Sequence, residues 1–263
     1  MRAHDIDFQL FGDDMQFVEI ELDPKEIVIA EAGAMMYMEN GVEMDTVFGD
    51  GNDSGGGLMG KLMGAGKRII TGESLFMTQF TNNSQARKKV AFAAGYPGKI
   101  IPVDLTSVGG KLIAQKDAYL CSAKGVSIGI EFQKKIGVGF FGGEGFIMQK
   151  LEGDGLVFIH AGGTIIEKDL AAGEVLRVDT GCLVALTSSV SYNIEMVKGI
   201  KSAVFGGEGL FFATLKGPGK VWLQSLPFSR MADRIISSAR STGGHSKDEG
   251  SLLGSLGNLL DGK

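Results

Sequence analysis

Short apolar runs separated by polar turns occupy most of the chain. Residues 17–22 alternate in polarity, with Val18, Ile20 and Leu22 on one side, which is the period-two pattern of a half-buried strand. Further apolar runs are bounded by Gly, Pro or Asp, as buried strands usually are. They lie at residues 27–30, 99–103, 156–159, 182–186 and 221–223. Because these strands follow one another without long helices, the pattern predicts an all-β sandwich or barrel.

One stretch of the chain recurs at a distance of 64 residues. Residues 141–157 and 205–221 are identical at nine of 17 positions, and the longer stretch 126–157 has 15 identities in 32. Shared composition would give only a few identities, so the similarity indicates duplication of a structural unit. A third, more diverged copy precedes these two, since Ile29-Ala30 recurs 84 residues later as Ile113-Ala114.

These observations predict the fold class and the domain organisation. We expect one all-β domain over residues 1–230, built of three tandem β-sandwich-like repeats with pseudo-threefold symmetry and short helical segments. The repeats cover approximately residues 5–105, 106–168 and 169–230. Residues 231–263 are expected to form a flexible tail, with a polar linker over 237–251 and a short amphipathic leucine helix after it.

The first repeat carries a glycine-rich insertion, and we expect part of it to be an interaction segment. The duplicated architecture does not require this insertion, which favours a functional role for it. Apolar residues at helical spacing and nearby positive charges suggest contact with a protein or a membrane surface. The candidate residues are Leu58, Met59, Leu62, Met63, Lys67 and Arg68. Met35 and Met36 also lie in apolar surroundings that suit an adaptable interface.

Composition and charge exclude several classes of protein. Glycine is abundant, at 41 of 263 residues, and the net charge is −5, so a generally basic surface for nucleic acid is not expected. There is no apolar run of the roughly 18 residues that a membrane span needs. Cys121 and Cys182 are too few for a disulfide framework, and we expect both to be free thiols in a reducing cytoplasm.

The sequence offers no catalytic, cofactor or metal site. Two matches to G-x-G-x-x-G, at residues 55–60 and 137–142, are what chance gives at this glycine content, and neither opens a βαβ unit. The three histidines, His4, His160 and His245, have no metal-ligand spacing. We therefore expect His160 to be a structural residue at the end of an apolar strand, and the protein not to be an enzyme.

One glutamate recurs in all three repeats, within a glycine-rich motif. These residues are Glu73, Glu144 and Glu208. A carboxylate beside glycines accepts hydrogen bonds from turn amides and holds a bend, so we expect an architectural clasp. The functional alternative is a polar ring about the pseudo-threefold axis.

An ordered set of motifs also runs through the chain. The motifs are the glycine-rich stretch 55–68, Gly72-Glu-Ser-Leu-Phe-Met77, Phe80-Thr-Asn-Asn83, Tyr96-Pro-Gly-Lys-Ile-Ile-Pro-Val-Asp-Leu105, and the Phe-Gly-Gly-Glu-Gly segments at 141–145 and 205–209. Together they resemble the altered-inheritance-of-mitochondria protein twenty-four family over roughly residues 5–228. The resemblance implies an all-β fold similar to that of the tryptophan RNA-binding attenuation protein. It also implies a role in membrane organisation, because fungal members are associated with the mitochondrial inner membrane, and it implies no catalytic residues.

The expected function is therefore a non-enzymatic, oligomeric scaffold or interaction protein of the cytoplasm, with peripheral membrane contact and no cofactor. Unpaired strand edges favour a closed homo-oligomer, and the three-unit chain favours a trimer. The alternative is a ring that binds a small ligand or nucleic acid. A hydrolase with an unrecognised active site is the third hypothesis.

Overall fold

Antiparallel strands make up most of the chain. The computed structural model describes residues 2–48, 76–134, 146–196 and 211–240. Within these ranges it contains nineteen strands and one α-helix, α1 (Phe228–Arg240). The strands are β1 (Asp7–Phe11), β2 (Phe17–Leu22), β3 (Ile27–Glu31), β4 (Met35–Met38), β5 (Val42–Phe48), β6 (Phe76–Asn82), β7 (Lys88–Ala93), β8 (Gly98–Asp104), β9 (Lys111–Gln115), β10 (Tyr119–Ala123), β11 (Ser127–Lys134), β12 (Phe146–Glu152), β13 (Leu156–Gly162), β14 (Ile165–Leu170), β15 (Val175–Asp179), β16 (Leu183–Thr187), β17 (Ser191–Met196), β18 (Phe211–Lys216) and β19 (Gly219–Gln224).

The polarity pattern located these strands correctly. In β2 the side chains of Val18, Ile20 and Leu22 are fully buried, while the intervening residues are half-buried. The runs predicted at 156–159 and 221–223 lie inside β13 and β19. The prediction of an all-β fold is confirmed.

The strands form four antiparallel sheets. Sheet 1 has the order β1-β2-β7-β4, and sheet 4 has the order β15-β18-β17. The two large sheets have six strands each, in the orders β5-β6-β3-β10-β13-β8 for sheet 2 and β11-β12-β9-β16-β19-β14 for sheet 3.

The strand order of sheet 2 returns in sheet 3 with every strand number raised by six. Raising the numbers of β11-β12-β9 in sheet 3 by six gives β17-β18-β15, which is the order of sheet 4. Lowering the numbers of β10-β13-β8 in sheet 2 by six gives β4-β7-β2, which is found in sheet 1. The register agrees with the sequence spacing, because the pairs Ile27–Thr81, Lys111–Glu152 and Val175–Lys216 occupy corresponding places. Strands can therefore be compared by position, although the arrangement of three units about a threefold axis stays a prediction.

The sheets pack face to face in the order 1, 2, 3, 4. Sheets 1 and 2 bury one core that includes Ile20 and Phe158. A second core between sheets 2 and 3 includes Tyr119 and Trp222, and a third between sheets 3 and 4 includes Leu215. Sheets 2 and 3 are thus covered on both faces. Among the described residues, no core contains side chains from both end sheets.

Asn82 fixes the turn between β6 and β7. Its Nδ2 donates to the carbonyl oxygens of Leu22 and Ala86, each at 2.8 Å, and its Oδ1 accepts from the Ser84 amide at 3.0 Å. The residue is fully buried, so these bonds satisfy a polar group that burial would otherwise penalise. The Phe80–Asn83 motif therefore has a structural role in this fold.

The C-terminal boundary differs in one respect from the prediction. The chain divides into two units, Met1–Pro227 and Phe228–Lys263, where the sequence suggested a tail from 231. The linker predicted from Ser237 is wrong over 237–240, because α1 continues to Arg240. Phe228, Met231 and Ile235 recur at helical spacing, which outweighs the local serines. The predicted leucine helix lies outside the described residues.

Candidate interaction site at the open sheet edges

The repeated glutamates and the predicted interaction segment lie outside the part of the chain that the structure describes. They are Glu73, Glu144 and Glu208, and Leu58, Met59, Leu62, Met63, Lys67 and Arg68. The described strands on either side of the three glutamate-containing segments are antiparallel neighbours in each case: β5 with β6, β11 with β12, and β17 with β18. The proposed clasp and interaction segment remain predictions.

Strand β4 is the most conspicuous apolar surface among the described residues. Its four residues, Met35, Met36, Tyr37 and Met38, are 36%, 55%, 37% and 38% exposed. The corresponding strands β10 and β16 are buried at every residue. All three strands carry a register shift at the same place, after Met35, Tyr119 and Leu183, which supports the correspondence.

β4 is exposed because it has a strand on one side only. It pairs with β7, while β10 lies between β13 and β3, and β16 between β19 and β9. The Glu39 amide donates to the Lys89 carbonyl at 2.9 Å, and Met38 is opposite Val90. Since hydrogen-bonded and non-hydrogen-bonded pairs alternate along an antiparallel ladder, the amide and carbonyl of Met38 point away from β7.

β15 in sheet 4 is a second edge strand whose counterparts in the other sheets are paired on both sides. It pairs with β18 alone, whereas its counterparts β3 and β9 each have two neighbours. The Gly217 amide donates to the Glu174 carbonyl at 3.0 Å, so by the same alternation Val175, Arg177 and Asp179 direct their backbone groups away from β18. Val175 is 56% exposed.

The face of sheet 1 that points away from sheet 2 carries several ion pairs. Glu19 accepts from Lys89 Nζ at 2.6 Å and from the Tyr37 hydroxyl. The bond from Lys89, followed by that from Tyr37, lowers the pKa of Glu19, and the Glu19 carboxylate in turn raises the pKa of Tyr37 to about 12. Arg87 donates to Glu21 at 2.7 Å and to Asp23 at 2.6 Å. Arg87 and Lys89 therefore both have carboxylate partners on this face.

His160 and the cysteines fill structural positions. His160 is buried in β13, its ring packs edge-on against Tyr96, and desolvation lowers its pKa to about 4. Its Nε2 has no hydrogen-bond partner among the described residues. Cys121 and Cys182 are free thiols, as predicted, and burial raises the pKa of Cys121 well above its ordinary value.

The described residues offer little for catalysis or metal binding. They contain no group of three His, Cys, Asp or Glu side chains placed to hold a metal ion. An open cleft of about 570 Å³ is lined by Asp14, Pro97, Lys99, Gly163, Thr164, Ile165, Ser225 and Leu226. Lys99 Nζ donates to the Asp13 carbonyl at 2.6 Å, so the one cation of this cleft is already engaged.

The sequence only partly revealed the open edge. Met35 and Met36 were noted as suited to an interface, but Tyr37 and Met38 were not, and β4 itself was not predicted as a strand. The available signal was position: Met35–Met38 stands where the later copies have Tyr119–Ser122 and Leu183–Leu186. Which of these strands lacks a neighbour depends on the sheet order, which local patterns do not report.

The sequence profile of the family described as mitochondrial biogenesis AIM24 matches residues 8–226. The chain belongs to the AIM24 family. An uncharacterized protein of Streptococcus pyogenes serotype M6 is 32% identical over 226 residues, covering 84% of this chain and 86% of that protein. A crystal structure of a Streptococcus pyogenes protein is similar, with a TM-score of 0.71 and 26% identity over 89% of this chain and 100% of that one.

The AIM24 relationship accounts for the motifs and for the fold. The matched region, residues 8–226, lies within unit Met1–Pro227. The family similarity therefore concerns the four sheets. Among the described residues, no helix is both long enough and apolar enough to cross a membrane.

Proposed function

We propose that this AIM24-family protein is a non-enzymatic scaffold of the cytoplasm that assembles with copies of itself and acts through interaction. The observation that carries the proposal is β4, a four-residue apolar strand whose counterparts β10 and β16 are buried. An open apolar strand presents unpaired backbone groups and apolar side chains together. Both are satisfied when another strand pairs with it.

A closed assembly is the form we expect. Contacts between two different edges of a chain are head-to-tail, and such contacts either close into a ring or polymerise. In a closed ring every β4 and every β15 has a partner strand, and the assembly does not polymerise. The trimer inferred from the three-unit sequence is the favoured size.

Nucleic-acid binding is the less favoured alternative, because several of the basic side chains on the described sheets are paired with carboxylates. Arg87 and Lys89 have acidic partners on sheet 1, Lys111 Nζ lies 2.9 Å from Glu131, and Lys220 pairs with Glu167. Phosphate contacts need cationic groups that are available to the backbone of the nucleic acid.

Peripheral membrane contact is a second candidate function, and α1 is the observation that favours it. Phe228, Ile235 and Ile236 of this helix are exposed, and the same helix carries Arg230 and Arg234. Exposed apolar residues combined with arginines are typical of helices that lie at an anionic membrane surface.

Light scattering coupled to size exclusion tests the proposal. The full chain at micromolar concentration is expected to have a mass that is a fixed multiple of 27.8 kDa, and a monomeric mass would refute self-assembly. Sedimentation with anionic liposomes and filter binding with mixed RNA test the alternatives. Retention of RNA at physiological salt would replace the scaffold with a nucleic-acid-binding ring.

A further inference from the structure

The chain contains two internal examples of the strand pair that its open edges lack. β10 pairs with β3, with Ser122 opposite Ile29, and β16 pairs with β9, with Leu186 opposite Ile113. β10 and β16 are the counterparts of β4, and β9 and β15 are the counterparts of β3. In each internal pair a counterpart of β4 is therefore antiparallel to β3 or to its counterpart. Of these six described strands, β4 and β15 have no such neighbour.

The internal pairs also specify the register of a third joint. Met38 corresponds to Ser122 and Leu186, because the three strands share the register shift described above. Arg177 corresponds to Ile29 and Ile113, since each lies at the third residue of its strand with the same pairing to the next strand. The third joint would therefore place Met38 opposite Arg177.

The backbone of both residues is oriented for this pairing. The Lys124 amide donates to the Ile27 carbonyl at 3.1 Å at the β10–β3 joint, so the pair two residues further, Ser122 with Ile29, is also a hydrogen-bonded pair. Met38 and Arg177 both direct their amide and carbonyl groups to the open side of their sheets, as argued above. The two edges are complementary without any rearrangement of either strand.

The two edges belong to opposite ends of the stack. β4 is in sheet 1 and β15 is in sheet 4, and sheets 2 and 3 lie between them. Within one chain β4 and β15 are not paired with each other, and no core of the described residues contains side chains from both sheet 1 and sheet 4.

We propose that β4 of one copy pairs antiparallel with β15 of a second copy, with Met38 opposite Arg177. This inference rests on the proposed self-assembly and names its interface. Pairing joins the three strands of sheet 4 to the four strands of sheet 1 in the order β17-β18-β15-β4-β7-β2-β1, and the first six of these seven strands follow the order of sheets 2 and 3. The backbone groups of both edges are then satisfied, and Met35–Met38 is covered as β10 and β16 are.

Disulfide cross-linking between two variants, each with one introduced cysteine beside the buried Cys121, tests the interface in the full chain. Hydrogen-bonded antiparallel pairs have Cα atoms about 5.5 Å apart, within the usual 4.4–6.8 Å span of a disulfide. Met38→Cys and Arg177→Cys are prepared separately on a Cys182→Ser background, mixed, and oxidised with diamide. The matched control pairs Arg177→Cys with Met44→Cys, since Met44 is 52% exposed on β5.

The expected result is a covalent dimer on a non-reducing gel, formed only when both variants are present and absent from the Met44 control. A chain carrying both cysteines is expected to give a ladder of covalent oligomers. An internally cross-linked monomer would overturn the proposal in favour of closure within one chain. An oligomeric mass without cross-linking would refute this interface and leave self-assembly standing, whereas a monomeric mass would refute both.

Discussion

At the scale of single residues, buried polar groups rather than catalytic clusters characterise this protein. Tyr119 and Asn82 place hydrogen bonds across strands inside the stack, while His160 is kept neutral by desolvation. Tyr119 thereby stabilises the β3–β10 pairing, and Asn82 stabilises the turn after β6. The residues that the sequence marked as special by repetition, such as Glu144, lie outside the described ranges, and their role stays a prediction.

Stability should fall as the pH is lowered from about 6.5 to about 4, because of His160. Its pKa of about 4 in the folded protein is below the unfolded value near 6.5. The unfolded chain therefore binds a proton in this window while the folded chain does not, which favours unfolding. Between pH 7 and pH 5 the contribution is about 2 kcal/mol.

Urea unfolding of the wild type and of His160→Gln at both pH values measures this effect. The variant is expected to lose less stability on acidification than the wild type. Equal losses would contradict the assignment, as would an NMR titration midpoint of the His160 ring near 6.5.

Replacing Tyr119 with Phe should destabilise the β3–β10 joint. The buried Tyr119 hydroxyl donates to the Ile29 carbonyl at 3.0 Å and contacts Ser122 Oγ at 2.9 Å. Its removal leaves a buried acceptor without this donor, at a cost of roughly 1–3 kcal/mol. Denaturant unfolding gives the change, and Tyr192→Phe, at a partly exposed tyrosine on β17, is the control with an expected change below about 0.5 kcal/mol. Equal effects of the two substitutions would contradict the contribution of the buried hydrogen bonds.

At the scale of elements, local sequence patterns predicted where strands lie better than they predicted which strands are neighbours in a sheet. β2 was bounded correctly because alternation and burial agree along it. The extension of α1 to Arg240 was missed because serines in its last turns are equally typical of a linker. β4 was missed because its apolar residues are exposed, and exposure follows from the absence of a neighbouring strand, which is a long-range property.

The turn between β6 and β7 should depend on Asn82 and not on its neighbour. Asn82→Ala removes two donors from buried or partly buried carbonyl oxygens, and we expect a loss of roughly 2–4 kcal/mol of unfolding free energy. Asn83→Ala is the matched control, because Asn83 is exposed and bonds to Glu43 on the surface. Thermal unfolding of both variants distinguishes them, and a comparable shift of Tm for the two would contradict the role of Asn82 in this turn.

At the scale of the whole molecule, the first and the last of the four sheets each have an edge strand, β4 and β15, whose counterparts are paired on both sides. The sequence predicted tandem units and self-association, but the interface follows from the strand orders in the structure. Two internal strand pairs show how sheets 4 and 1 would join, and six of the seven strands of the joined sheet follow the order of sheets 2 and 3. Helix α1 belongs to unit Phe228–Lys263, and it carries the candidate membrane contact.

Removal of residues 241–263 should leave the assembly intact. The proposed interface uses β4 and β15 alone, and both belong to unit Met1–Pro227. The truncated and full chains are expected to contain the same number of copies by light scattering. Loss of assembly in the truncated chain would transfer the interface to the tail and contradict edge pairing.

Light scattering of Met38→Pro beside Met38→Ala tests the central claim most directly. Proline removes the outward amide of Met38 without removing a bond to β7, since that amide points to the open edge. Alanine keeps the amide and shortens the side chain. The account predicts that the proline variant is a folded monomer of about 27.8 kDa and that the alanine variant still assembles. Assembly of a folded proline variant at the wild-type mass would contradict it.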